Sequence, residues 1–241
     1  MKGVSELKPS DVAPGLMLGP NVEIGQSVQI GAHVTIHAGT VIGDGCTVQD
    51  GAVLGKSPVL GKRSTAPRDP LPPLRLEAGA AICAGAIVLA GAVIREGAVI
   101  GDHAFVRERA DIGPQSVIGH GCAIGRGVRV GGRSKLQSGG VLAPGAVVED
   151  EVFIGPSVAA TNDTTMGRHD PGVELPGVTF RRGCRVGAGV VLLPGVEIGA
   201  EAVVGAGAVV TRSVDAGTLV MGVPARVIKQ VAEPESPQPS P

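Results

Sequence analysis

Five histidines and one Asn-Asp step are the residues in this chain best suited to chemistry at neutral pH. His120 lies in the segment IGHGCA, and Asp102 lies eighteen residues earlier in IGDHAF. A carboxylate beside an imidazole fixes its tautomer and raises its basicity. Such a pair can take the proton that an attacking ammonium group must lose. His103 adjoins the pair. Farther along, VFIGPSVAATND ends in Asn162 and Asp163, with Arg168 and His169 close behind. A primary amide donates and accepts at once, which suits a site holding an amine next to a carbonyl. An Asx turn that simply ends a strand is the other reading of this step. His33 and His37 are four apart, but His103, His120 and His169 supply no second spacing of that kind, so no three-histidine metal centre is expected. Each histidine also has a plain reading as an exposed corner residue.

What must position these residues is a repeat of six. From Leu18 the chain reads LGPNVE, IGQSVQ, IGAHVT, and from Leu76 it reads LEAGAA, ICAGAI, VLAGAV, IREGAV. Position one is aliphatic, position five is small, and position four is often Gly. This period fits neither a helix nor a two-residue alternation. It fits a short strand followed by a corner, with Gly tolerating the positive φ of the turn. Three hexads make one triangular coil, so residues eighteen apart stack at about 4.8 Å. On that spacing Asp102 lies one rung below His120, with Ser138 one rung above. The same spacing pairs Glu108 with Arg126, which reads as an exposed ion pair. Each coil buries its apolar face only against its neighbours, so the array is one cooperative unit.

Composition narrows the function classes. The 241 residues include 39 Gly and 19 Pro but three Phe and neither Tyr nor Trp, so the core must be narrow and filled by aliphatic side chains. The net charge of −1, with no basic run interleaved with aromatics, argues against nucleic acid. The uncharged stretch from Ala78 to Ile94 keeps the six-residue beat and reads as buried solenoid rather than a membrane span. The opening residues carry no apolar core of a signal peptide. Cys46, Cys122 and Cys184 occupy the small fifth position and read as buried thiols, and with Cys83 they form no CxxC motif. A cytoplasmic protein is expected.

With more than two dozen in-phase hexads, the chain resembles the hexapeptide-repeat, left-handed β-helix acyltransferases. The resemblance implies an all-β, single-stranded left-handed parallel β-helix over residues 18–222, after a lead-in of 1–17. It also implies a short C-terminal helix within 223–241; the Pro-rich end, VAEPESPQPSP, is expected to be disordered from its composition. The left hand comes from the resemblance, since parallel crossovers are ordinarily right-handed. A homotrimer with clefts between neighbouring prisms is implied as well. VFIGPSVAATND is similar to a segment of the subgroup that N-acylates nucleotide-linked amino sugars, where the loop after TND borders the reaction cleft. Asn162, His120 and Asp102 are then the catalytic candidates. Asp163, Gln137, His103 and Arg168 are the substrate-binding candidates, Gln137 through KLQSGG, which is similar to a cleft-facing family segment. The implied acyl donor is acetyl-CoA, with no metal. Its pantetheine arm is expected along Gly187, Gly205 and Ala206, and its phosphates at Arg212, Arg226 and Lys229. Where the family continues with an aromatic and Pro-Arg, this chain has Thr164-Thr165-Met166-Gly167-Arg168.

Two stretches break the beat, 61–75 and 161–179, and long insertions in such arrays are usually functional. The first carries four prolines and a net positive charge, which makes it a semi-rigid arm. It either contacts a ligand's phosphate, covers a neighbour, or is decoration. O-acylation of a sugar or small alcohol is the rival activity. A zinc-dependent γ-class carbonic anhydrase and a non-catalytic solenoid are the more distant ones; the threonines form no ladder at eighteen-residue steps.

Overall fold

The computed structural model describes residues 7–62, 64, 66–170 and 173–231. The chain winds into a three-sided solenoid of parallel strands, most of them two residues long. The first face begins with Leu16–Leu18, Thr35–Ile36, Val53–Lys56 and Ile87–Leu89, and reaches Val209–Val210. The second runs from Glu23–Ile24 to Glu197–Ile198, and the third from Gln29–Ile30 to Arg226–Gln230. Each coil visits the first, second and third faces in turn. Register passes from coil to coil, with Phe105 opposite Ala123 and Ala123 opposite Val141, and shifts where Val53–Lys56 pairs with Ile87–Leu89, between Val88 and Leu89. The architecture is consistent with the left-handed β-helix.

Positions one and five of each hexad make the core. Ile82, Val88, Ile94, Ile100 and Val106 are fully buried, as are Ala80, Ala86, Ala92, Ala98 and Ala104. One continuous cluster runs from Ala13 to Val220. Each large aliphatic residue so buried contributes about 1.5–3 kcal/mol, and Ile100→Ala would cost about 2–5 kcal/mol. Cys46, Cys122 and Cys184 are buried in the fifth slot as expected. The uncharged stretch Ala78–Ile94 forms ordinary coils, with strands Ala81–Ile82, Ile87–Leu89 and Val93–Ile94.

The corners explain the glycines. The fourth position turns through positive φ, with Gly at 97 and 121 but His103 at φ 54° and Arg109 at 60°. The second position is tight for another reason. A Cβ on Gly187 would lie 2.5 Å from the Ala206 nitrogen one coil on, so a side chain there would force the coils apart.

Three expectations need correcting. The first break starts at Ser57, not Gly61: Val53–Lys56 runs on as a strand, Pro58 has no N–H to give a ladder, and Val59 is 93% exposed. The C-terminal helix is instead a strand, Arg226–Gln230, antiparallel to Thr218–Met221. The last coil would otherwise present an open edge, and the β-branched Val227 and Ile228 favour pairing over helix. The lead-in likewise pairs, Lys8–Ser10 lying antiparallel to Leu16–Leu18 and covering the other end. The third correction concerns Glu108, which is 3% exposed and held by Nη2 and Nε of Arg107 at 2.8 and 3.1 Å, not by Arg126. The Pro-rich segment 232–241 lies outside the described residues, as do Arg63 and Thr65 of the first break.

Candidate active site

The edge where the third face meets the first collects most of the expected residues. Asp102, His103, His120 and Gln137 follow strands of the third face, and so, higher up, do Gly187, Gly205 and Ala206. His103 and His120 meet edge-on, with ring centroids 5.9 Å apart and planes at 87°. His103 lies over the coil below, where a Cβ on Gly85 would come within 2.5 Å of its Nδ1. Both histidines are exposed.

Asp102 does not serve the imidazole. Its Oδ1 accepts the Ala84 N–H one rung below, at 3.0 Å, alongside Gln49 Oε1 at 3.1 Å. The reason is general to the corner. The third amide of a turn is left out of the ladder, and an acidic third residue one coil on accepts its hydrogen bond. Asp44 does so for Gln26, Asp50 for Ala32 and Asp150 for Gly132, each at 2.7 Å. Asp102 follows that rule, so its carboxylate is directed down the stack, away from His120. Recurrence of Asp at position three was a visible signal of this role. Cys83, half-buried on the same edge, has its thiol pushed up by burial and then by the Asp102 charge.

Gln137 is half-buried beside His120, its backbone N–H spent on Ile154 O and its carbonyl accepting the Cys122 thiol at 3.1 Å. The amides of Gly187 and Gly205 are also spent, on Val204 O and Val220 O at 2.8 Å. The amide of Ala206, and that of Ala188 one rung below it, have no partner among the described residues. Ala188 was missed from sequence although it occupies the same third position. Arg226 is brought opposite Met221, whose side chain lies against Gly205, while Lys229 pairs with Leu219 farther along the strand. Arg212 follows Val209–Val210 and so stands on another edge.

That other edge, between the first and second faces, carries both insertions. Asn162 Nδ2 donates to Pro144 O one rung below at 3.0 Å, and Thr161 Oγ1 donates to Leu192 O at 2.8 Å. Asp163 gathers the loop beyond. Its carboxylate accepts the Thr165 N–H and hydroxyl at 2.7 Å and the Gly167 N–H at 2.6 Å, with His169 Nε2 at 3.7 Å. The Thr165 hydroxyl, the two amides and His169 hold this carboxyl below its ordinary range. Arg168 is exposed, its N–H on Thr165 O at 3.3 Å. Within one chain, then, the structure does not bring Asn162 to His120. Two whole coils and one extra hexad separate them, which the repeat arithmetic already contained. Among the described residues no group of three or more His, Cys, Asp or Glu is arranged to hold a metal ion.

The family model described as bacterial transferase hexapeptide (six repeats) matches residues 12–56 and 177–212. No curated protein matches the chain. Among solved structures the chain is similar to a hexapeptide transferase family protein from Anaplasma phagocytophilum, at 22% identity over 56% of this chain and 76% of that one, TM-score 0.45. It is also similar to a hexapeptide-repeat-containing acetyltransferase from Vibrio cholerae, at 30% identity over 51% and 74%, TM-score 0.43. A third is GDP-perosamine N-acetyltransferase from Caulobacter crescentus, solved as a mutant with CoA and GDP-perosamine, at 25% identity over 60% and 57%, TM-score 0.32. With matched repeats at both ends of the solenoid and the same hexad geometry between them, the chain belongs to the hexapeptide-repeat transferase family.

Proposed function

We propose that this protein is an acyl-CoA-dependent N-acyltransferase that places an acyl group, acetyl in the simplest case, on the amine of a nucleotide-linked amino sugar. The observation that carries the reading is the His103–His120 contact on an edge whose upper corners are lined by Gly and Ala and present the unpartnered amides of Ala188 and Ala206. Small side chains let a pantetheine arm lie close to such a wall, and free amides suit its polar groups. His120 accepts the proton as the amine attacks the thioester carbonyl. The proton then passes to the departing thiolate, so nothing is consumed beyond donor and acceptor. Much of the rate comes from holding the two reactants together. The acceptor's class rests on the likeness of VFIGPSVAATND to the amino-sugar subgroup. Asp102 enters as the residue that fixes the corner beneath His103, a positioning role. Phosphate contacts by Arg226 and Lys229, and by Arg212 from a neighbouring edge, belong to the same reading.

Homotrimeric assembly in the cytoplasm completes the proposal. The upper part of the first face presents Ala123, Val141, Ala159, Val191 and Val209 outward, with Val141 43% exposed. Such an apolar column favours association, and a neighbour's edge could then bring an Asn162 to a His120. The test is to incubate the protein with acetyl-CoA and a panel of nucleotide-linked amino sugars, measuring thiol release and product mass. A mass gain of one acetyl group on the amine supports the proposal. Acetylation only of hydroxyl acceptors, or no turnover, refutes the N-acyl reading.

A further inference from the structure

We propose that the cleft roofed by residues 57–62 and 66–71, on the edge between the first and second faces, binds a phosphate-bearing nucleotide. The phosphates would lie against Arg109 and Arg126. This site lies on a different edge from His103 and His120 and does not depend on acyl transfer.

The roof is built to hold a shape. Arg68 Nη2 donates to Gly61 O at 2.9 Å and the Ser64 N–H to the same carbonyl at 3.1 Å, which closes the loop on itself. Ala66 is buried, Leu74 anchors the far end in the core, and the Ala90 N–H bonds to Lys56 O at 3.0 Å. Pro67, Pro70, Pro72 and Pro73 stiffen the return. A preformed roof lowers the ordering cost of binding.

Beneath it is a cavity of about 300 Å³ with Arg68, Arg109 and Arg126 in its wall. Two carboxylates face these cations, and Arg126 pairs with neither. Glu108 is occupied by Nε and Nη2 of Arg107. Asp69 pairs with Arg109 at 3.7 Å and is 72% exposed. Arg126, half-buried, has no hydrogen-bond or ion-pair partner among the described residues. An unpartnered guanidinium in a concave wall presents its fork to an anion, and two or three together suit phosphate. Sharing Ser57, Pro58 and Leu60 with this cavity is a second of about 590 Å³, floored by Ile87, Leu89 and Phe105 and rimmed by Lys56 and Arg107. A cationic chamber joined to an apolar one fits a ligand with a phosphorylated end and a flat organic end. The combined size is in the range of small-molecule sites, roughly 300–1,000 Å³.

The diphosphate of a sugar nucleotide and that of coenzyme A share this chemistry, and separate titrations distinguish them. Uridine diphosphate and coenzyme A would each be titrated by calorimetry into the full-length protein, its Arg126→Ala variant and Arg129→Ala. Arg129 serves as a control because it is an exposed residue of a second-face strand and lines neither cavity. The expected result is that at least one ligand binds and that Arg126→Ala raises its Kd by roughly tenfold or more, the scale of one lost charge-assisted bond. Arg129→Ala should leave that Kd unchanged. Binding by neither ligand, or a smaller rise in a variant that melts like the parent, overturns the proposal. Arg126→Lys, which keeps the charge but loses the fork, should fall between. Arg126-dependent binding in a protein that transfers no acyl group would retain this site and refute the proposed activity. Active protein whose binding ignores Arg126 would do the reverse.

Discussion

Replacing Asp102 separates two roles that a sequence cannot tell apart. If its carboxylate supports the His120 imidazole, removing the charge should lower kcat. If it accepts the Ala84 N–H, as the 3.0 Å contact indicates, the charge matters little and the acceptor matters more. Asp102→Asn keeps a side-chain oxygen in place, whereas Asp102→Ala removes it. The magnitude follows from helix caps, where the same exchange of an Asx acceptor for Ala costs about 0.5–2 kcal/mol. Asp102 is exposed and Gln49 Oε1 shares the same amide at 3.1 Å, so the cost belongs at the lower end, near ~0.5–1 kcal/mol. For a chain of this length that is a fall in Tm of roughly 1–4 °C. Asp102→Asn should melt within about a degree of the parent, on the same scale. Its kcat with the acceptor found in the panel should stay within about twofold of the parent, because a general base is worth far more than that when its support is lost. Differential scanning calorimetry and initial-rate assays on both variants decide the matter. A tenfold or greater fall in kcat for Asp102→Asn with Tm unchanged would refute the cap and restore the carboxylate–imidazole pair.

Other expectations follow from the same geometry. His120→Ala should lower kcat by about a hundredfold or more, with partial recovery as pH rises and more of the acceptor amine is free; an unchanged kcat near neutral pH would mean that no protein base is used. Asn162→Ala removes the bond to Pro144 O and should destabilise by about 0.5–1.5 kcal/mol, so a fall in turnover counts as functional only when it exceeds what the melt explains. Asp163, Glu149, Glu151 and Glu197 all have carboxyls held below their ordinary range, Asp163 first by the Thr165 hydroxyl and the glutamates first by arginine partners. Depressed pKa values contribute stability that is full above the ordinary carboxylate range and is lost as pH falls through the folded values. Thermal melts should therefore hold from neutral pH down to about pH 5 and then drop, with hydrogen exchange rising early in 161–170 around Asp163; a flat profile to pH 3 would contradict this. Light scattering at micromolar concentration should give a trimer mass, and a monomer would remove the assembly part of the proposal.

The solenoid was legible because its cause is local and repeated. An aliphatic first residue, a small fifth and an often glycine fourth recur through most of the chain, and no tertiary accident can hide that. Departures were legible in proportion to how far the beat was disturbed. The second break was placed within a residue, while the first was entered late because LGKSPV imitates a hexad although Val59 points to solvent. The terminal strand was missed because the resemblance suggested a helix, when the open edge of Thr218–Met221 and the run Arg226–Gln230 favoured pairing. In the candidate site, stacking arithmetic placed Asp102 and His120 on one edge but could not say which way a carboxylate turns. That choice was made by an orphan amide on the coil below. Glu108 was misjudged for the same reason: column spacing proposed Arg126, while the adjacent Arg107 reached it within its own corner.

A three-sided prism has three edges, and this chain uses them unequally. The edge between the second and third faces is closed by ion pairs such as Arg181 with Glu149 at 2.8 Å and Glu197 at 2.7 Å. The edge between the third and first faces carries the paired histidines and open amides, with no insertion in its way. Both insertions leave from the remaining edge, five coils apart, or roughly 24 Å at 4.8 Å per coil. A rigid wall cannot bend to unite groups on different edges, since a hexad spans up to roughly 20 Å when extended. Chemistry that needs Asn162 with His120 must therefore draw them from two chains, and chemistry confined to one chain must do without one of them. The unpartnered Arg126 near the lower insertion and the Asn162 clamp at the upper one belong to that same edge. Ligand contacts there can change affinity without disturbing the histidine edge, which makes binding and turnover separable by mutation.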